Sequence, residues 1–110
     1  MLLFLYFLRK GQVDMGKRES SFQASLIKEL KERFPGCVVL KNDANYIQGF
    51  PDLLILHNGN WGALECKRSE DASHRPNQDF YISKLNEMSY AAFICPENRE
   101  DILDELQQAL

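Results

Sequence analysis

Apolar residues recur every three or four positions in three segments of the chain, which predicts three amphipathic helices. The first covers residues 20–34, with a serine as its N-cap, and follows a polar loop over residues 11–17. The second covers residues 76–88, and the third is capped by Asn98. The residues expected to face the core are Phe22, Leu26, Ile27, Leu30, Phe34, Phe80, Tyr81, Leu85, Met88, Ile102, Leu103, Leu106 and Leu110.

Four short apolar runs predict strands, and they read CVVLK, DLLILH, WGALECK and YAAFIC along the chain. Asn58-Gly59 separates the second run from the third. Asn-Gly between apolar runs predicts a tight hairpin, because both central residues of a type I′ turn need positive φ. Both faces of this hairpin are otherwise apolar, so helices are expected to cover the sheet on both sides. The predicted order is α-β-β-β-α-β-α, in the α/β class.

A two-residue turn fixes which residues of the hairpin face each other. His57 then pairs with Asn60, and the same register places Asp52 directly opposite Glu65. Lys67 shares the face of these two acids because side chains alternate along a strand, whereas Cys66 points to the opposite face.

The opposed carboxylates make the ends of this hairpin a candidate metal site. Directly opposed side chains lie about 5 Å apart, and two charges at that distance repel by about 3 kcal/mol at an effective dielectric of 20. A divalent cation between Asp52 and Glu65 would remove this cost, and Mg²⁺ prefers such oxygen ligands with several retained waters. The ammonium of Lys67 could then hold the attacking water or stabilise charge on a phosphate. In the alternative interpretation Asp52 caps the strand end, Glu65 pairs with Lys67, and nothing binds.

The overall charge argues against a broad nucleic-acid-binding surface. The net charge is −3 and the pI is about 5.3, so a polyanionic partner would have to meet a local basic patch or a metal ion. The three cysteines, Cys37, Cys66 and Cys95, lack metal-ligand spacing and are expected to be reduced thiols of a cytoplasmic protein.

The first residues, MLLFLYFLRKG, are apolar but far too short to cross a bilayer, which takes about 20 residues. The basic residues follow the apolar run, unlike the order in a signal peptide. Residues 1–17 are expected to form an N-terminal extension, for which two alternatives remain: residues 1–14 lie upstream of a true start at Met15, or the segment is an element that packs on the body or on a partner subunit. No membrane association is expected.

Four ordered motifs carry a family resemblance. Pro51-Asp52 ends a turn that reads GFPD, and twelve residues separate it from Glu65-Cys66-Lys67. Gln78 lies in the first turn of the next predicted helix. Glu19 and Gln23 are four positions apart in the first helix. This pattern resembles the PD-(D/E)XK nuclease superfamily, and within it the VRR-NUC-like stand-alone nucleases of phages and bacteria. The similarity covers residues 18–110.

The resemblance implies a restriction-endonuclease-like αβββαβ core, with a mixed central sheet flanked by helices on both faces. It also implies a Mg²⁺- or Mn²⁺-dependent endonuclease that hydrolyses DNA. Asp52, Glu65 and the backbone carbonyl of Cys66 would hold the metal, and Lys67 would orient the water. Glu19 would complete the site, with Gln23 as its substitute, and Gln78 would support it. The alternative for Glu19 is a solvated acid at the helix start, and for Gln78 an ordinary exposed helix residue.

Basic residues near these motifs could bind the phosphates, namely Arg68, Arg75, His74 and Lys41. Such contacts position the backbone without reading its sequence, which favours structure-selective cleavage over base-specific recognition. The alternative for these residues is a solvated loop. A small domain offers little surface for a duplex, so by analogy with related stand-alone nucleases a homodimer is expected, whose two active sites would suit branched or junction DNA. Two other functions stay open: a non-catalytic nucleic-acid-binding or assembly module on a nuclease scaffold, and a purely structural interaction domain.

Overall fold

The computed structural model describes the backbone of residues 2–110 and the side chains from residue 18 onward. Its seven elements follow the predicted α-β-β-β-α-β-α order. They are α1 (Leu2–Arg33), β1 (Val38–Lys41), β2 (Leu53–His57), β3 (Asn60–Cys66), α2 (Pro76–Met88), β4 (Tyr90–Ile94) and α3 (Arg99–Ala109).

The four strands form one mixed sheet in the order β1-β2-β3-β4. The first three are antiparallel neighbours, and β4 lies parallel to β3 after the α2 connection. Asn58 and Gly59 form the tight turn with φ values of 53° and 78°, in the left-handed region that the sequence predicted. The predicted register is confirmed, since His57 pairs with Asn60 and Leu53 with Leu64.

Helices cover both faces of the sheet, which gives the protein two cores. Helices α1 and α3 pack on one face through buried side chains, among them Leu26, Leu30, Leu103 and Leu106 against Leu53, Ile55, Leu64 and Ile94. Helix α2 packs on the other face, where Leu85 meets Ala63 and Ala91. Burying a Leu or Ile side chain contributes roughly 1.5–3 kcal/mol, so the α1–α3 side holds most of the stabilising apolar burial.

Helix α1 is longer than the sequence predicted. The expected loop over residues 11–17 is helical, and the expected serine N-cap lies in the interior of the helix, which begins at Leu2. An isolated glycine in a helix costs only about 1 kcal/mol relative to alanine, and residues 2–33 contain no proline, so nothing local ends the helix there. How the side chains of residues 1–17 pack lies outside the described residues.

Two residues of α2 expected in the core are exposed: 57% of Phe80 and 66% of Met88 is accessible, while Leu85 is buried as predicted. Among the described parts of the helices and strands, α2 packs on β3 and β4 alone. Its apolar surface is therefore wider than the part of the sheet it covers. Over the described residues no helix has both the length and the apolar character needed to cross a membrane.

Candidate metal centre

Asp52 and Glu65 meet at one end of the β2–β3 hairpin. The β2–β3 ladder ends at Leu53 and Leu64, so Asp52 lies one residue before β2. The prediction that Asp52 pairs with Glu65 within the strands is therefore wrong. The Asp52 carboxylate nevertheless accepts a hydrogen bond from the Cys66 backbone N–H at 2.8 Å. The Asp52 and Glu65 carboxyl groups are within hydrogen-bonding reach of each other.

Glu65 is an acid in a buried position, with 5% of its surface accessible. Burial, then the charge of Asp52 and the hydrogen bond to it, raises the pKa of Glu65 to about 8. The neighbouring charge of Lys67 acts in the opposite direction. Without a cation, the arrangement therefore favours a proton held between the two acids.

Lys67 follows β3 directly and its amine is held in place. Its Nζ donates to the carbonyl oxygen of Ser73 at 3.0 Å and to Oε1 of Gln78 at 2.8 Å. The same Nζ lies 6.0 Å from the centre of the Phe93 ring. The amine is thus fixed on the acids' side of the sheet, as the alternation predicted, and is not a free surface charge.

Gln78 connects the amine to the acid. Besides accepting from Lys67, its Oε1 accepts from the Arg75 backbone N–H at 3.0 Å, which caps the first turn of α2. Its Nε2 donates to Oε2 of Glu65 at 3.3 Å. Gln78 is half-buried, and the alternative of an ordinary exposed helix residue is wrong.

Glu19 approaches the acids from α1. It is half-buried within the helix, so the alternative of a solvated acid at the helix start is wrong. Burial, then the charge of Asp52, raises the pKa of Glu19, whereas Lys67 and Arg68 lower it. Glu19 therefore acts on the pair through its charge.

Gln23 lies one turn further along α1 and has a different partner. Its side chain hydrogen-bonds the buried thiol of Cys66, which points into the α1–α3 core as predicted. Burial and the nearby acids raise the pKa of this thiol. Of the two candidates on α1, Glu19 acts on the carboxylates through its charge, whereas Gln23 lies against Cys66.

The donor set of this site fits a hard divalent cation. Two carboxylates in contact, one of them with a raised pKa, form a place where a cation could replace the shared proton. Among the side chains described, no group of three or more His, Cys, Asp or Glu converges on one point. Asp52, Glu65 and the Cys66 carbonyl would hold Mg²⁺ or Mn²⁺ together with waters, with Glu19 acting through a water.

A cavity of about 180 Å³ opens beside the two acids. Its lining includes Asp52, Glu65, Arg75, Asn77 and Gln78, together with the loop that precedes Asp52. This cavity is large enough for a phosphate group and several waters, and its walls are polar.

The four predicted phosphate-binding residues do not form one rim. Arg75 lines the cavity of the acids, and Arg68 is close enough to Glu19 to lower its pKa. His74 is stacked on Phe93 with ring centres 3.8 Å apart and its Nδ1 is 3.0 Å from Asp79. Lys41 lines a separate groove.

Sequence reasoning missed the contacts that hold the Pro51-Asp52 turn. Asn42 donates through its backbone N–H to the Asp52 carbonyl at 2.8 Å and through Nδ2 to the Pro51 carbonyl at 2.7 Å. Gly49 adopts φ of 86°, and a Cβ there would lie 2.8 Å from Asn77. The glycine before Phe-Pro-Asp was the available signal for this close approach. Nothing in the spacing pointed to Asn42.

The geometry therefore assembles an acid pair with Glu65 buried and Asp52 half-buried, a fixed amine and a polar cavity in an α/β fold with a four-stranded mixed sheet and three helices. These features rest on the chain's own contacts. Neither a protein-family description, nor a curated protein, nor a solved structure matches this chain.

Proposed function

We propose that this protein is a Mg²⁺- or Mn²⁺-dependent endonuclease that hydrolyses phosphodiester bonds of DNA. The observation that carries the proposal is the contact between the Asp52 and Glu65 carboxyl groups, with the amine of Lys67 joined to Glu65 through Gln78. The element order and the mixed sheet support a restriction-endonuclease-like core over residues 18–110.

Different residues of the chain have separate roles in the proposed hydrolysis. Asp52, Glu65 and the Cys66 carbonyl would hold the cation, and Glu19 would orient a water from the α1 side. The bound cation would polarise a phosphoryl oxygen and make a coordinated water more acidic. Lys67, fixed by Ser73 and Gln78, orients the attacking water and stabilises the charge that develops on the phosphate. The water oxygen would bond to phosphorus and release its proton to solvent as the bond to the leaving oxygen breaks, and the leaving oxygen would take up a proton from solvent.

The substrate in this proposal is branched or junction DNA, and the working form is a homodimer, which provides two cutting sites. The three free thiols accord with a reducing cytoplasmic compartment, the host's if the protein is of phage origin. Gel filtration at micromolar concentration with junction DNA tests the assembly. A clean monomer there would contradict the homodimer.

Cleavage assays test the activity directly. Plasmid, a four-way junction and single strands are incubated with Mg²⁺, Mn²⁺ or EDTA, and cutting is expected only with metal. Asp52→Asn and Glu65→Gln should abolish cutting while circular dichroism stays unchanged. Glu32→Gln, at an exposed acid of α1, is the matched control and should cut normally.

A second function, a non-catalytic nucleic-acid-binding module on the same scaffold, is favoured by Arg75, which lines the cavity of the acids and would contact a phosphate there without any metal. It predicts that the protein binds DNA but does not cut it, whether or not metal is present. The two acid substitutions should then leave this behaviour unchanged. Metal-dependent cutting by the wild type alone would exclude it.

A further inference from the structure

A second concavity lies on the other side of the loop that precedes Asp52. It has a volume of about 520 Å³; Tyr46, Ile47, Phe50 and Leu54 form its apolar lining, and Lys41, Asn42 and Asp43 form its polar lining. Phe50 lines both this groove and the cavity of the acids, so the two spaces are neighbours. Tyr46 is 85% exposed, although a large aromatic side chain gains free energy when it is buried.

The loop that carries Tyr46 is held in shape. Asn42 ties its start to Pro51 and Asp52 at its end. Within the loop, the Tyr46 N–H donates to the Asp43 carbonyl at 3.1 Å, and Asn77 of α2 donates to the Gln48 carbonyl at 3.2 Å. The exposed ring therefore sits on a braced turn next to the acids, which lowers the entropic cost of binding to it.

We infer that this groove is a stacking platform for an unpaired nucleobase next to the phosphate that is cut. An aromatic ring on an apolar floor offers the face on which a base stacks, and Lys41 offers a charge for the neighbouring phosphate. A base within an intact duplex has both faces covered, so only an unpaired base fits. The inference deepens the proposed function, on which it rests: the substrate has a single-stranded nucleotide at the cutting site, as a flap, an open branch or a single strand does.

The charge of the chain limits how nucleic acid can be held. With a net charge of −3, the protein as a whole does not attract a nucleic-acid backbone, so local contacts must supply the affinity. Stacking needs no net charge and tolerates every base. Phe50 lines both spaces, so a base stacked in the groove would lie next to the cavity of the acids.

The chief competing occupant is a second copy of this chain. The groove opens onto a part of the sheet that α2 leaves uncovered, where 44% of Leu40 and 38% of Leu56 is accessible. A dimer seated there would bury Tyr46 against protein, and Tyr46→Ala would then change the association state.

The test measures DNA binding in EDTA, where no metal-dependent cutting interferes. Single-stranded and blunt duplex oligonucleotides, each carrying one 2-aminopurine, are titrated with wild type, Tyr46→Ala, Tyr46→Phe and Phe80→Ala, with sedimentation velocity in parallel. The single strand should bind more tightly than the duplex, and its fluorescence should be quenched by stacking. Tyr46→Ala should weaken single-strand binding by about tenfold or more and relieve the quenching, while Tyr46→Phe retains both. Phe80→Ala, at an exposed aromatic residue of α2, should bind as the wild type does.

Three results would overturn the inference: equal affinity of Tyr46→Ala and wild type for the single strand, an equal loss in Phe80→Ala, or a change of association state in Tyr46→Ala. Parallel cleavage assays in Mg²⁺ separate it from the proposed function. If metal-dependent cutting is lost in Glu65→Gln but is unaffected by Tyr46→Ala, the stacking platform is refuted and the nuclease proposal stands. If stacking depends on Tyr46 but no metal-dependent cutting occurs, the nuclease proposal is refuted and the platform stands.

Discussion

Gln78 hydrogen-bonds at the same time to Lys67 and to Glu65, with distances of 2.8 Å from its Oε1 to Nζ and 3.3 Å from its Nε2 to Oε2. An amide is the side chain suited to this bridge, because it donates from one end and accepts at the other. The contact fixes how far the amine lies from the acid pair. In the proposed enzyme Gln78 is therefore a positioning residue.

Replacing Gln78 by methionine keeps the volume but removes the bridge. Supporting residues of this kind typically contribute about 10- to 100-fold in metal affinity or activity, so Gln78→Met should lower the cleavage rate within that range. Single-turnover cleavage and calorimetric titration with Mg²⁺ measure the two effects. Gln108→Met, at an exposed position of α3, is the matched control. Wild-type behaviour of Gln78→Met would show that the bridge has no role in cutting.

Lys67→Met should slow cleavage by about 10²–10³-fold, because a preorganised charge beside the reacting phosphate is lost. Mg²⁺ affinity should change far less, since Lys67 is not among the metal ligands. Lys28→Met, at an exposed lysine of α1, should cut normally. If Lys67→Met abolished Mg²⁺ binding but left residual cutting intact, the assignment of the amine to the reacting phosphate would be wrong.

The raised pKa of Glu65 predicts how stability depends on pH in EDTA. Burial, followed by Asp52, raises this pKa from 4.5 to about 8, so between those values the folded protein holds a proton that the unfolded chain has released. The contribution of Glu65 to the free energy of unfolding is therefore fully present below about 4.5 and is lost as pH rises to about 8. Urea unfolding across this range measures it.

Glu65→Gln should reduce that slope, and Glu32→Gln should keep it. Added Mg²⁺ should also offset the loss of stability at the alkaline end, because a cation binds the ionised acid pair and not the protonated one. A wild-type stability that rises with pH over the same range, relative to Glu65→Gln, would contradict the buried acid pair.

Alanine substitutions at two glycines with nearly the same φ distinguish the cost of a left-handed backbone from the cost of steric overlap at Cβ. Gly49 and Gly36 have φ of 86° and 85°, but a Cβ on Gly49 would lie 2.8 Å from Asn77, whereas nothing lies within 4 Å at Gly36. Both alanine variants lose about 1–3 kcal/mol to the left-handed backbone. Gly49→Ala should lose about a further 1–3 kcal/mol to overpacking, measured by urea unfolding.

Gly49→Ala should also lower the cleavage rate, because Gly49 lies in the loop that leads to Asp52, while Gly36→Ala should not. Equal losses of stability in the two variants would mean that the loop moves away from α2 at little cost.

Local chemistry in the sequence was enough to predict the element order and the hairpin. Asn58-Gly59 specifies its turn through backbone angles that few other residue pairs adopt. Once the turn is set, the two-residue alternation brings Asp52 and Glu65 to one end of the hairpin and sends Cys66 to the other face. These contacts follow from neighbours in the chain, so a pattern of residues is sufficient to find them.

Docking between distant segments decided the rest. The sequence could not show that Asp52 would stop short of the ladder, that Phe80 and Met88 would stay exposed, or that Gln23 would lie against Cys66 while the charge of Glu19 acts on the acids. Each depends on where α1 and α2 lie on the sheet, which is set by the packing of both cores and not by spacing within one element. The groove beside Tyr46 likewise exists only because α2 covers β3 and β4 and leaves the other half of that face open.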